Sequence, residues 1–313
     1  MKILITGGAG FIGFHTAQKF HSLGHEVYGI DDFNSVIYDA ELKHARADEL
    51  EKRCGIKVHD IDLCDSFSMG QIIGQNVPDL VIHLAAHAGV RTSMNRQYEY
   101  IQNNIAGTQI LIDTMEQHGV DRVIYASTSC AMEGNPLPWG PDEKLGKQLN
   151  PYGLTKATNE NQFHISNIKS AVCLRFFTVY GPWGRPDMAL FNFTKNILAD
   201  KPITVYNNGQ MKRDFTYVDD IVQGIELVSQ HEFERETFCI GYGKQVDLMD
   251  FIYLIKKNLG KEAEMEFKPR HPADALETWS DTTKLERMVG YKPTTPIDVG
   301  VKNFIEWYKD YYK

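Results

Sequence analysis

The chain has few cysteines, no excess of positive charge, no long apolar run and no low-complexity stretch. Its five cysteines, Cys54, Cys64, Cys130, Cys173 and Cys239, are odd in number and scattered, with no C-x-x-C pair. That pattern excludes a disulfide framework and a cysteine-based zinc site, and it suits a reducing cytosol. With 33 Lys and Arg against 41 Asp and Glu, the formal charge is −8. A sequence-independent grip on nucleic acid or on an anionic membrane is thereby excluded, and any phosphate must be met by local arginines and backbone amides. No window reaches the roughly eighteen apolar residues of a membrane span. The opening "MKILITGG" lacks the apolar core and cleavage site of an export signal, so no export is expected. What is present, 42% hydrophobic and 24% charged residues over 313 positions, describes a globular protein with ample core and a small-molecule partner.

Short β-branched runs alternate with helical stretches: "KILIT", "EVYGI", "IKVHDI", "LVIHLAA", "RVIYAS" and "AVCLRFF". This alternation predicts βαβ units and an α/β, doubly wound parallel sheet of Rossmann type. Gly24 and Gly119 stand where the intervening helices must stop. After about residue 176 the rhythm gives way to turn-rich segments and to helical patterns such as "LMDFIYLIKKNLG" and the aromatic "FIEWYKDYYK". The expected division is a dinucleotide-binding domain over 1–175 and a smaller α/β substrate domain over 176–313. Some segments, such as 213–230, return to the first. A cleft between the two is the expected active site.

"ITGGAGFIG" closes the first strand and opens the first helix, with Gly7, Gly10 and Gly13 spaced G-x-x-G-x-x-G. Such glycines permit a tight turn, close approach of a pyrophosphate and close helix–strand packing, with Phe11 and Ile12 contributing amides at the helix start. Asp31, at the end of the second strand in "GIDDFN", supplies a carboxylate for a ribose 2′-hydroxyl and repels a 2′-phosphate, which favours NAD over NADP. Asp32 and Asn34 sit beside it. Asp62 and Leu63 follow the third strand where an adenine can lie, although a strand-end Asp also serves as a turn residue. Leu84, Ala85 and Ala86 follow the fourth.

In "NPYGLTKATNE", Tyr152 and Lys156 lie four apart on a helix beginning near Pro151, hence on one face. A phenol is a poor base near neutrality, but an adjacent ammonium stabilises its phenolate. Such a pair can take a proton from an alcohol whose hydride leaves to NAD. "YASTS" ends the fifth strand with Ser127, Thr128 and Ser129 at the carboxyl edge of the sheet, where ligands of such folds bind.

The glycine turn, "HLAAHAGVR", "YAST", "YGLTK" and "RFFTVYGPWGRP" together resemble the extended short-chain dehydrogenase/reductase family over nearly the whole chain. Within it, "RFFTVYGPWGRPDMALFNFTKNIL" and "MKRDFTYVDDIV" resemble UDP-glucuronate 4-epimerases. The resemblance implies Tyr152 as acid/base, Lys156 as the residue that orients the nicotinamide ribose, and Thr128 as partner of the sugar 4-hydroxyl. It implies an NAD that stays bound while hydride leaves C4 and returns to the opposite face of a 4-keto sugar. Arg213 resembles the family's pyrophosphate arginine, Arg270 or His271 a second phosphate contact, and a homodimer through helices near 97–118 and 151–168 is expected. Tyr206 can stack on uracil or simply pack.

A uronic acid explains Arg185, set in a rigid Pro/Gly loop. Its guanidinium can grip the sugar carboxylate, with Thr178 and the Ser127, Thr128 and Ser129 hydroxyls as neutral donors, and so restrain loss of CO2 from the β-keto acid. The competing reading pairs Arg185 with neighbouring Asp187. The family usually reads "SSSSVYG" where this chain has "STSCAMEG". Ser129 and Cys130 replace the Asp-Glu pair that sugar dehydratases need for eliminating water. Cys130 also replaces a glutamate usual in UDP-glucuronate decarboxylases, a role Glu133 could assume by reaching in. A non-catalytic NAD-binding sensor of the same fold typically lacks the Tyr/Lys pair. His83 and His87 straddle a strand end and do not share a helical face as metal ligands, and Asp219 and Asp220 read as a helix-start cap, so no metal is expected.

Overall fold

In a computed structural model describing residues 1–313, all six β-branched runs become parallel strands of one sheet. They are β1 Lys2–Thr6, β2 Glu26–Asp31, β3 Val58–Asp60, β4 Leu80–His83, β5 Arg122–Thr128 and β6 Ser170–Phe176. A seventh strand, Arg235–Ile240, lies outside the expected set. It is identified by its partner: it pairs with β6 in parallel from Arg235 opposite Ala171 to Ile240 opposite Phe176. The order across the sheet is Arg235–Ile240, β6, β5, β4, β1, β2, β3. The winding therefore reverses between β1 and β4, and the carboxyl ends of those strands open a crevice.

Alternation along the strands feeds two cores. Ile3 and Ile5 pack with Phe14 and Phe20 of helix α1 (Phe11–Ser22) and Leu50 of α2 (Glu41–Cys54). Leu4 faces the other way, with Ile72 of α3 (Ser66–Asn76), Leu111, Met115 and Phe163. Both faces are covered, as a parallel sheet requires. Gly24 and Gly119 adopt positive φ of 81° and 68° just past their helices, as expected of helix-stopping glycines. The 97–118 region is a helix of three kinds: an α-turn Gln97–Tyr100, a π-helical stretch Ile101–Ala106, then an α-helix Gly107–Gln117.

A third core forms after β6, with Phe191, Phe215, Phe251, Ile255, Phe304 and Ile305 at its centre. The terminal helix Ile297–Tyr311 buries Val301, Phe304, Ile305 and Tyr308 in it. The chain does not stay there: helix Val218–Ser229 packs on α1, and Arg235–Ile240 joins the sheet. Two buried carboxylates secure these returns. Asp214 accepts from the Tyr242, Gly243 and Ser280 amides at 2.8, 3.0 and 3.1 Å and from Ser280 Oγ at 2.5 Å. Asp220 corrects the expectation of a helix cap: it accepts from the Thr294 and Thr295 amides at 2.8 and 3.1 Å, while Tyr217 stands at the helix start. Asp219 and Asp220 both stand in the first turn, but neither side chain caps it, and the Asp220 carboxylate is committed to the other segment.

Candidate active site

The turn after β1 is shaped for an anion. At Gly7, with φ of 71°, a Cβ would stand 2.8 Å from the Ala85 amide nitrogen; at Gly10 it would stand 2.9 Å from the Gly7 carbonyl, and at Gly13 it would collide with that carbonyl. Side chains are thus excluded where backbone must approach a ligand. No side chain caps α1 and no acidic residue occupies its first turn. Its free amides and the positive end of its dipole face the crevice. A cavity of about 320 Å3 opens there. Gly7, Gly10, Phe11, Ile12, Gly13, Asp31, Asp32, Asn34, Leu63, Leu84, Ala85 and Ala86 all line it. Asp62 does not: its carboxylate accepts from the Cys64 amide at 2.8 Å, the turn role weighed from sequence. Two unforeseen side chains complete this end. Lys43 Nζ lies 3.2 Å from Asp31 and 3.6 Å from Asp32, and burial raises the Asp31 carboxyl against the pull of Lys43. His87 lines the cavity with both ring nitrogens buried and unpartnered.

At the other end stand Tyr152, Lys156, Ser127, Thr128, Ser129, Cys130 and Thr178. Helix Pro151–Ile165 starts sharply because Asn150 Oδ1 accepts from the Gly153 amide at 2.8 Å and Pro151 needs no amide partner. Tyr152 and Lys156 therefore open onto the cavity one turn apart. Burial pushes the Tyr152 phenol up to about 12, with Cys130 adding to the rise and Arg185 and Thr128 opposing it. Burial pulls the Lys156 ammonium down to about 8, against Cys173 and Glu160. Lys156 is 2% exposed, faces the cavity and joins no protein ion pair, an arrangement suited to a ligand's hydroxyl groups. His83 adds no charge: burial takes it to about 3, and its nitrogens meet Thr6 and Thr108 hydroxyls at 2.7 and 3.1 Å. Ser127 is not free to donate, since its hydroxyl goes to Glu160 at 2.5 Å. Glu160 in turn receives Arg175 through Nε at 3.1 Å and Nη2 at 2.9 Å.

Arg185 reaches this cavity, and Asp187 reaches Arg185. Nε and Nη2 donate to the Asp187 carboxylate at 3.0 and 2.6 Å, and Nη2 also donates to the Ala88 carbonyl at 2.8 Å. Burial works to lower the guanidinium's pKa, and the Asp187 carboxylate more than offsets it. The local pairing weighed from sequence thus takes one edge of the fork, leaving Nη1 without a protein acceptor.

Tyr206, Arg213 and His271 lie outside the cavity lining. They gather instead beyond Cys130, where Arg91, Arg270 and Asp274 also converge. The Arg91 guanidinium sits 3.8 Å from the centre of the Tyr206 ring and pairs with Asp274 at 2.6 Å. Arg213 spends donors on the carbonyls of Ala275 and Leu276 at 2.7 and 2.9 Å. His271 Nδ1 accepts from the Ala273 amide at 3.2 Å. Glu133 turns toward Arg213 and Arg270 and does not line the cavity, while Met132 before it is wholly buried beside Trp139 and Phe177. No cluster of three or more His, Cys, Asp or Glu side chains is placed to hold a metal ion.

A helix start built for a pyrophosphate, with a phenol and an ammonium sharing its crevice, is the arrangement of short-chain dehydrogenases/reductases, whose site chemistry is hydride and proton transfer. Residues 3–241 match the NAD dependent epimerase/dehydratase family, and the chain belongs to that family. It is 36% identical to a UDP-glucuronate 4-epimerase of Thermodesulfobacterium geofontis, over 98% of this chain and 96% of that protein. It is 38% identical to Protein CapI of Staphylococcus aureus over the full length of both. Among solved structures, the UDP-glucuronic acid 4-epimerase of Bacillus cereus in complex with UDP-glucuronic acid and NAD superposes with a TM-score of 0.93 at 34% identity, covering 100% of each chain.

Proposed function

We propose that this protein catalyses NAD-dependent C4 epimerisation of UDP-glucuronate to UDP-galacturonate through a 4-keto sugar. The observation that carries the reading is that Tyr152, Thr128 and Arg185 line one cavity with the glycine turn. The similarity to UDP-glucuronate 4-epimerases of other organisms supports it. Bound NAD would supply the reversible hydride acceptor for C4. Gly7 to Gly13 would hold its pyrophosphate, Asp31 and Lys43 its adenosine ribose, and Lys156 its nicotinamide ribose.

Tyr152 accepts the C4 hydroxyl proton as the alcohol is oxidised and gives it back on reduction. The Lys156 ammonium favours the phenolate in the interval. Thr128 orients the hydroxyl. Arg185 Nη1 and Thr178 hold the C5 carboxylate out of alignment with the C4 carbonyl, which keeps CO2 in place. Phe176, Phe177, Val179 and Met188 line the remainder with few polar anchors, so the keto sugar can turn over between the two hydride steps. Arg213, Arg270 and His271 serve the diphosphate, and Tyr206 serves the uracil end. Residues 1–175 form the NAD-binding domain and 176–313 mainly the nucleotide-sugar domain. The protein works in the cytoplasm as a homodimer, supplying polysaccharide biosynthesis. Exposed Tyr98, Ile101 and Leu154 on the two candidate interface helices support the dimer.

The test is incubation of the purified protein with UDP-glucuronate and no added cofactor, with the product identified by NMR and mass. An equal-mass isomer inverted at C4 is expected. A product lighter by CO2 overturns the reading in favour of decarboxylation.

A further inference from the structure

Arg46 is the largest side chain wholly removed from solvent, at 0% exposed, and no carboxylate pairs with it. Its donors go to three loops. Nη1 reaches the Ala9 carbonyl of the glycine turn at 3.1 Å and Tyr38 Oη at 3.0 Å. Nε and Nη2 reach the Trp183 carbonyl at 3.1 and 2.6 Å, and Nη2 also meets Gly184 O at 3.5 Å. From α1, His15 Nε2 donates to the Pro182 carbonyl at 2.9 Å. Burial takes His15 down to about 4, so it does so as a neutral imidazole. Three consecutive carbonyls, 182 to 184, are thus held by the sheet's own helices immediately before Arg185.

The held segment is one that does not set its own shape. Trp183 sits at φ 60°, in the left-handed region that side chains disfavour. Its ring is fixed against Phe14, Trp307 and Tyr311 at 5.1, 5.4 and 5.0 Å. The geometry points to Arg46, assisted by His15, as the positioning residue that ties the Arg185 loop to the dinucleotide turn, so that occupancy of the turn by NAD fixes where Arg185 stands. An unpaired buried cation behind the turn is balanced when an anion occupies the turn's open side, and the 182–184 carbonyls then rest on a settled guanidinium. The inference rests on the reading of the glycine turn as the NAD site.

The test is hydrogen exchange, read by mass spectrometry, on full-length enzyme stripped of NAD and then reloaded. In the wild type, NAD is expected to slow exchange both at residues 7–14 and at 181–188. In Arg46→Met it slows 7–14 only, and KM for UDP-glucuronate rises about tenfold, the equivalent of one lost charge-assisted hydrogen bond, with a smaller change in kcat. Arg46→Lys, which keeps charge and bulk but not the fork, falls between and carries the test if the methionine variant fails to fold. Equal NAD protection of 181–188 in the variants and the wild type overturns the coupling. Absence of protection at 7–14 in the wild type overturns the cofactor-site reading instead.

Discussion

Replacing Lys156 by methionine removes a buried charge while keeping the side chain's length and most of its volume. Burial draws this ammonium from its ordinary 10.5 to about 8, and the residue is 2% exposed, so solvent screens little of the effect. Because the folded value lies below the unfolded one, the unfolded chain binds more protons in between. Stability therefore rises with pH from about 8 to 10.5, and the full cost of the buried cation is present below pH 8. At roughly 1.4 kcal/mol per pH unit, that cost is about 3 kcal/mol. Lys156→Met should make the NAD-free protein more stable by about that amount at pH 7, or about 5 °C in Tm for a chain of this length. Turnover should fall at least about a hundredfold as the phenolate loses its neighbour. Urea or thermal unfolding of stripped protein at pH 7 and at pH 10.5 reads the first effect, and product NMR the second. The stability advantage must shrink as pH rises. A variant less stable than the wild type at pH 7, or a difference independent of pH, would refute the reasoning.

Tyr152→Phe should cut turnover by about 10²–10⁴-fold with NAD still copurifying; loss of NAD along with activity would make the phenol a binding group. Asp31→Asn leaves Lys43 opposed only by Asp32, 3.6 Å away, and should move the NAD/NADP preference toward NADP by about tenfold, read by calorimetric titration of stripped protein. An unchanged preference removes Asp31 as the discriminator. Arg175→Met strands the Glu160 carboxylate inside the protein and should cost about 3–5 kcal/mol in urea unfolding; a loss below about 1 kcal/mol would show that Glu160 finds solvent or a proton instead.

The features legible in sequence are those whose chemistry is local. The glycine spacing, the Asp31 strand end, the four-residue step from Tyr152 to Lys156 and the β5 hydroxyls each need only a strand or a helix turn to be placed. The six strand runs are legible for the same reason, whereas Arg235–Ile240 is defined by a partner more than sixty positions earlier. Arg185 is legible as a charged residue in a Pro/Gly loop, but how its fork is divided between Asp187, Ala88 and a ligand depends on how the loop closes. Glu160 and Arg175 read as an ordinary helix acid and a strand base until folding buries them together. Arg46 did carry a signal. Leu42, Arg46 and Leu50 are the buried positions of α2, spaced four apart, so an arginine interrupts an apolar stripe. His87 had none beyond its place in "HLAAHAGVR", since only the cavity reveals that its nitrogens lack partners.

The late return of Arg235–Ile240 to the sheet has a consequence for synthesis. A nascent chain can order β1 to β6 as they leave the ribosome, but the free edge of β6 has no neighbour until residue 240 has emerged. The Asp214 carboxylate likewise waits for Ser280. Between these points the growing polypeptide presents an unpaired, apolar strand edge, the kind of surface that recruits other strands. Translation pauses over residues 176–240 would lengthen that exposure, while pauses before residue 170 would not, because β6 has yet to appear.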